Sequence, residues 1–139
     1  MHVKELTTID EMLTVYDVQA QMYTDMTRAK YEEIIPQRIA DGYRMLGVFD
    51  GDTCICTAGF WIGVRFYCGK FIQLDNMVAD EQHRAKGAGK AVVDWIKELG
   101  KKEGCNRILI DTYVENFDAH RFFYREGFII RGYHLNYTL

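Results

Sequence analysis

Apolar residues recur every three to four positions after Thr8: Ile9, Met12, Leu13, Tyr16, Ala20 and Tyr23. That is the spacing of one helix face. Thr8-x-x-Glu11 in front of it is a capping box, in which the two side chains satisfy free N–H groups of the first turn. A short strand over Val3–Leu6 precedes this helix. Tyr31, Ile34, Ile35 and Ile39 repeat the helical period over about Lys30–Ala40. The chain's one proline, Pro36, falls inside that stretch. It is expected to kink the helix or split it in two, because proline removes a donor and crowds the preceding turn.

The pattern then turns β-like at Tyr43–Phe49, Thr53–Phe66 and Lys70–Ala79, with Asp50-Gly51-Asp52 as a hairpin signal between the first two runs. Ala88–Leu99 returns to helical spacing, with Val92, Val93, Ile96 and Leu99 as its apolar stripe and Gly104 just past its end. Arg107–Tyr113 reads as a strand. Phe117–Arg125 reads as a fourth helix ending at Gly127, and Phe128–Tyr137 as further strand material. The order β-α-α-β-β-β-α-β-α-β predicts an α/β protein, an α+β mixed sheet with helices on its faces. The β-α-β unit at Phe71–Tyr113 is expected to pair in parallel through a right-handed crossover.

Length and composition narrow this picture. A chain of 139 residues suits one domain over residues 1–139, with a core that needs neither disulfides nor a structural metal. The net charge of −3 comes without any lysine-arginine block, which argues against nucleic acid as a partner. Cys54, Cys56, Cys68 and Cys105 form no C-x-x-C pair, so buried free thiols in a reducing cytoplasm are expected. No second Cys/His pair sits at ligand spacing, and no metal is expected. The N-terminus lacks a signal-peptide core and no run reaches membrane-spanning length. A cytoplasmic protein without membrane association is the expectation.

The chemistry gathers at Q-H-R-A-K-G-A-G-K, Gln82–Lys90, where a strand runs through a polar loop into a helix that begins with glycines. Such a helix start offers unpaired N–H groups and the positive end of the helix dipole, together an anion site. Gly87 and Gly89 let a diphosphate approach the backbone, and Arg84, Lys86 and Lys90 add positive charge. By itself the loop suits several phosphate ligands, or none if it is only a glycine-softened helix start. A Walker loop fits poorly, since Arg84 takes the place of its first glycine and Ala91 that of its magnesium-holding hydroxyl. A dinucleotide fingerprint also fails, with Val92 in place of its third glycine.

The run L-D-N-M-V-A-D-E-Q-H-R-A-K-G-A-G-K-A-V-V-D-W-I resembles the central motif of the GNAT superfamily of N-acetyltransferases, R/Q-x-x-G-x-G/A at a helix start after an acidic strand. Asn116-x-x-Ala119 followed by Arg121-Phe122-Phe123-Tyr124-Arg125-Glu126-Gly127-Phe128 is similar to that family's second signature, N-x-x-A-x-x-F-Y-x-x-x-G-F. The resemblance implies the family fold, about six to seven strands with four helices, over nearly the whole chain. It implies acetyl-CoA as co-substrate and transfer of the acetyl group to a primary amine by direct attack in a ternary complex. The acceptor would be a small molecule or a peptide or protein amine.

By the same resemblance, Arg84, Ala85, Lys86, Gly87, Ala88, Gly89 and Lys90 would hold the coenzyme A pyrophosphate. Backbone groups of Met77, Val78 and Ala79 would pair with the pantetheine arm, the Val78 N–H polarising the thioester carbonyl. Asn116 would orient the pantetheine or cap the fourth helix. Asp75, where the family often has an acidic group, is the candidate base. The general acid is usually a tyrosine four residues before the glycine. That position, against the cofactor, is Phe123 here. Either Tyr124 reaches the sulfur through a one-residue shift, or the acid is missing or supplied elsewhere. A non-catalytic acyl-CoA-binding or regulatory module is the alternative reading. His134, Tyr23 and Trp61 would border the acceptor, and the aromatic C-terminal strand would support a homodimer.

Overall fold

Thr8 caps the first helix as the sequence predicts: its Oγ1 accepts from the Glu11 N–H at 3.1 Å, while Glu11 Oε1 accepts from the Thr7 N–H at 3.2 Å. The glutamate thus reaches one residue further back than in the simple capping box. The computed structural model describes residues 1–84 and 86–139. Its elements are β1 (His2–Leu6), α1 (Ile9–Thr14), α2 (Tyr16–Gln19), α3 (Arg28–Ala40), β2 (Arg44–Asp50), β3 (Thr53–Arg65), β4 (Gly69–Ala79), a 3₁₀ turn at Glu81–His83, α4 (Ala88–Glu103), β5 (Arg107–Ile110) and α5 (Phe117–Arg125). The chain divides into two compact units, residues 1–109 and 110–139.

In the first unit the sheet runs in the order β1-β2-β3-β4-β5, and the first three pairings are antiparallel. The hairpin at Asp50–Thr53 forms as expected, with Gly51 in the left-handed region that its turn requires. Consecutive strand residues point to opposite faces, and Phe60 and Trp61 show where each layer lies. Phe60 packs edge-on against Trp95 of α4. Trp61 packs against the cluster of Leu6, Met12, Val15, Tyr31, Ile35, Tyr43 and Met45, to which α1 and α3 contribute. Helix α4 therefore covers one face of the sheet and α1 with α3 the other. The stripe Val92, Val93 and Ile96 is fully buried, and each such side chain contributes roughly 1.5–3 kcal/mol relative to exposure.

Three elements differ from expectation. The first helix breaks at Val15, whose backbone leaves the helical region while its side chain enters the core; tertiary packing overrides the helical period there. Five α-helices result among the described residues instead of four. Pro36 sits inside an unbroken α3, so the split does not occur. Pro36 and Glu32 both face solvent, where water can satisfy the carbonyl that proline leaves without a donor.

In the second unit, α5 begins and ends where the sequence places it. Gly127 adopts a left-handed conformation at its end, and the Phe128 N–H closes a Schellman bond to the Phe123 carbonyl at 2.9 Å. The third difference lies beyond it. The expected strand at Phe128–Tyr137 is absent, and Arg107–Tyr113 is a strand only to Ile110. Alternating apolar residues make a strand only where a neighbour supplies ladder hydrogen bonds. Tyr133, Leu135 and Tyr137 are instead exposed. The sheet accordingly has five strands among the described residues, not six or seven.

Candidate active site

The pairing of β3 with β4 slips at one place. Thr57 faces Val78 and Gly59 faces Asp75, so Ala58 alone opposes both Asn76 and Met77. This is a β-bulge on β4, a feature that re-aims side chains and interrupts the ladder beside active sites. Asn76 is the one non-glycine residue with positive φ (49°) among the described residues, a conformation asparagine tolerates better than most.

Asn76 is held through both its backbone and its side chain. Its carbonyl accepts from Gln19 Nε2 at 3.2 Å, and its N–H donates to Asp75 Oδ1 at 2.9 Å. Its side-chain Nδ2 donates to the Tyr23 hydroxyl, and its Oδ1 accepts from the Tyr43 hydroxyl at 3.3 Å. Gln19 is fixed in turn by Thr57, whose hydroxyl donates to Gln19 Oε1 at 2.8 Å. Burial pushes the Tyr43 phenol well above its usual pKa, which keeps it a neutral donor. Asp75 accepts from Arg38 Nη2 at 3.1 Å, and the Arg38 guanidinium lies 4.5 Å from the Tyr43 ring centre and 5.1 Å from that of Trp61. Asp75, Tyr23 and Trp61, each singled out in the sequence, thus meet in one cluster. Met77, Val78 and Ala79 follow on the same strand, Val78 buried and the others half-buried.

After β4 the chain turns at Glu81–His83 and reaches α4 through Gly87, which takes the left-handed conformation at the N-cap. Among the described residues no side chain caps this helix, and its first turn holds no acidic residue. Among the described residues beyond its chain neighbours, nothing lies within 4 Å of where a Gly87 Cβ would stand. The first-turn N–H groups at Ala88, Gly89 and Lys90 have no partner within the helix and stand at the positive end of its 16 residues. Lys86 reaches Asp50 at 3.3 Å and Lys90 reaches Asp94 at 3.0 Å, while Arg84 is exposed. Ala85 lies outside the described residues.

The start of this loop is tied down by side-chain hydrogen bonds. Gln21 Nε2 donates to Asp80 Oδ1 at 2.7 Å, and Gln21 Oε1 accepts from the Glu81 N–H at 3.0 Å. Asp80 also pairs with His83, and the Gln21 bond followed by the His83 bond holds the Asp80 carboxyl below its ordinary pKa. His83 is therefore a structural partner of the turn.

In the second unit Asn116 caps α5, its Oδ1 accepting from the Ala119 N–H at 3.2 Å. Phe123 is 7% exposed and packs against Phe122 and Phe128 at ring separations of 5.0 and 5.2 Å. Tyr124 is 51% exposed on the neighbouring helix position. His134 pairs with Asp111 at 3.6 Å on the surface. Among the described residues no three His, Cys, Asp or Glu side chains converge as a metal site, and no helix is long and apolar enough to cross a membrane.

A strand carrying an acidic residue, followed by a helix that starts at glycine, is the arrangement that the central motif implies. The sequence profile described as the Acetyltransferase (GNAT) family matches residues 9–128. The chain belongs to the GNAT acetyltransferase family. A relative over nearly its full length is an uncharacterized N-acetyltransferase of Bacillus subtilis (strain 168), 22% identical over 135 residues, 96% of this chain and 95% of that protein. Glucosamine 6-phosphate N-acetyltransferase of Arabidopsis thaliana is 37% identical over 49 residues, 35% of this chain and 33% of that one. The crystal structure of glucosamine-6-phosphate N-acetyltransferase from the same plant superposes with a TM-score of 0.75 at 20% identity, covering 99% of both chains. An aminoglycoside N-acetyltransferase solved in complex with CoA superposes at 0.83 with 16% identity, over 99% of this chain and 95% of that one. The structural likenesses show a shared GNAT fold.

Within this GNAT chain the sequence reading missed Arg38, Tyr43, Asn76, Gln19 and Gln21. One signal was present: Gln73, Asp75 and Asn76 are polar residues within the otherwise apolar β4 run. Arg38 and Tyr43 carried none, because an arginine and a tyrosine at a helix end and strand start fit any surface.

Proposed function

We propose that this chain is an acetyl-CoA-dependent N-acetyltransferase in which an acceptor amine attacks the thioester directly, beside the β4 bulge. The observation that carries this reading is the bulge at Asn76, fixed by Gln19, Tyr43 and Tyr23 one strand-length before the uncapped start of α4. Open space at Gly87 and the absence of acidic residues in the first turn of α4 suit a pyrophosphate. Bound acetyl-CoA supplies the thioester: the new N–C bond forms at its carbonyl carbon, the C–S bond breaks, and the thiolate receives a proton. The Arg84–Lys90 loop anchors the pyrophosphate, Met77–Ala79 offer backbone groups to the pantetheine arm, and the Val78 N–H is the donor to the developing oxyanion. Asp75, positioned by Arg38 and the Asn76 N–H, serves as base toward the amine. Tyr124 is the acid for the leaving sulfur. The names of two similar proteins, acting on glucosamine 6-phosphate and on aminoglycosides, favour a small-molecule acceptor.

One observation favours a second reading, acyl-CoA binding without turnover: Phe123 is buried where the family usually has its tyrosine. Thiol release from acetyl-CoA, followed across a panel of amines for wild type, Tyr124→Phe and Asp75→Asn, separates the two. Turnover reduced in both variants supports the enzyme as assigned. CoA binding in a calorimetric titration with no thiol release on any amine supports the binder. Gly89→Asp places a carboxylate at the helix start and should abolish CoA binding; unchanged affinity rejects the loop as the pyrophosphate site.

A further inference from the structure

We infer that Arg38 recognises an anionic group on the acceptor, so that the amine substrate carries a carboxylate or a phosphate close to its amino group. The inference rests on the proposed reaction at the β4 bulge and adds the substrate's charge to it.

Arg38 stands in the last turn of α3, and its guanidinium carbon lies over the Tyr43 ring at 4.5 Å and over the Trp61 ring at 5.1 Å. Its one hydrogen-bonding partner among the described residues is Asp75, through Nη2 at 3.1 Å. A guanidinium has five N–H donors in a planar fork, so Nε and Nη1 keep their donors for a ligand. The Arg38 and Asp75 side chains are 35% and 37% exposed, which leaves both within reach of a small molecule. Asp75 directly precedes Asn76, so this charge pair lies beside the bulge itself.

A purely structural role explains the arrangement less well. A half-exposed ion pair adds little stability, and it requires neither a planar fork nor two aromatic faces to orient it. Stacking instead removes the rotamer freedom that an arginine would otherwise lose on binding. A planar, preordered, partly unused donor set matches carboxylate or phosphate in two-bond geometry. The neighbouring Asp75 carboxylate suits the amine end of the same molecule. A polycation would set its charge against Arg38 and should be disfavoured.

The test compares matched acceptors: glycine against glycinamide, D-glucosamine 6-phosphate against D-glucosamine, and spermidine as the polycation. Acetyl transfer and calorimetric binding in the presence of CoA are measured for wild type, Arg38→Gln and Arg38→Lys, with melting temperatures to confirm folding. Wild type should prefer one or both anionic members. Arg38→Gln should lose about 10- to 100-fold more in kcat/KM on that member than on its neutral partner, the difference falling mostly on KM, while any loss common to both reports the positioning of Asp75. Arg38→Lys should recover part of the loss. Whether glycine or D-glucosamine 6-phosphate responds separates carboxylate from phosphate. Equal losses on charged and neutral acceptors, or preference for spermidine, overturn the inference. Binding of the anionic acceptor that depends on Arg38, without any thiol release, would sink the proposed catalysis and leave the recognition standing. No binding of either anionic acceptor overturns the recognition as well.

Discussion

The buried hydroxyl of Thr57 donates to Gln19 Oε1 at 2.8 Å, joining a helix end to a strand 38 residues further along the chain. The same Gln19 side chain donates to the Asn76 carbonyl at 3.2 Å, so the pair props the β4 bulge from below. Thr57→Val keeps the shape and removes the donor, leaving a buried acceptor short of a partner. We expect a loss of about 1–3 kcal/mol in unfolding free energy, read from urea denaturation. A rise in acceptor KM should accompany it. A variant as stable as wild type would mean that the bulge holds itself.

The opposite side of the bulge depends on a missing side chain. A Cβ at Gly59 would lie 2.1 Å from Tyr43 Oη and 2.2 Å from its Cε2. Gly59→Ala must displace the ring that bonds Asn76 and stacks on Arg38, at an expected cost of about 1–3 kcal/mol. Gly100→Ala is the contrast. Its Cβ would meet Ile72 Cδ1 of β4 at 3.5 Å, an ordinary contact, and helix propensity inside α4 predicts a gain of roughly 0.5–1 kcal/mol. Thermal midpoints moving in the same direction for both variants would contradict this account.

Local signals were legible in the sequence and long-range ones were not. The Thr8 cap, the Gly51 turn and the bounds of α5 depend on residues within one turn of each other, and each forms where the residue pattern puts it. The glycine start of α4 at Gly87 was legible for the same reason. Val15 breaks its helix because the core takes its side chain, and Pro36 is tolerated because its face of α3 meets water; neither fact is written in neighbouring residues. The contacts of Asn76 and Asp75 reach back 33 to 57 positions to Gln19, Tyr23, Arg38 and Tyr43. No periodicity records such contacts. At Phe128–Tyr137 the alternation was real, but a strand also needs a neighbour, which lies outside the segment's own pattern.

Gly87 and Gly104 cap opposite ends of α4, with φ of 79° and 72° and nothing within 4 Å of either missing Cβ. Replacing either by alanine forces an L side chain into the left-handed region, at about 1 kcal/mol each. Only Gly87 stands at the proposed pyrophosphate site. Gly87→Ala should therefore also raise the Kd for CoA by about tenfold, comparable to one lost charge-assisted hydrogen bond, whereas Gly104→Ala should leave it unchanged. Calorimetry on the two variants decides this, and unaltered CoA affinity in both would move the anion site elsewhere.

Alkaline stability should depend on Tyr31. Its hydroxyl donates to the Met12 carbonyl at 3.0 Å inside the core, and burial pushes its pKa from 10.0 up to about 12. Below pH 10 neither the folded nor the unfolded chain ionises this phenol, so its contribution is fully present. Between about pH 10 and 12 only the unfolded chain gives up the proton, and unfolding is favoured as pH rises. One such proton corresponds to a slope of about 1.4 kcal/mol per pH unit, and the buried Tyr43 acts in the same direction. Urea unfolding from pH 8 to 11.5 should show wild type losing stability more steeply than Tyr31→Phe by about one proton. Parallel curves for the two proteins would show that this phenol is not shielded from water.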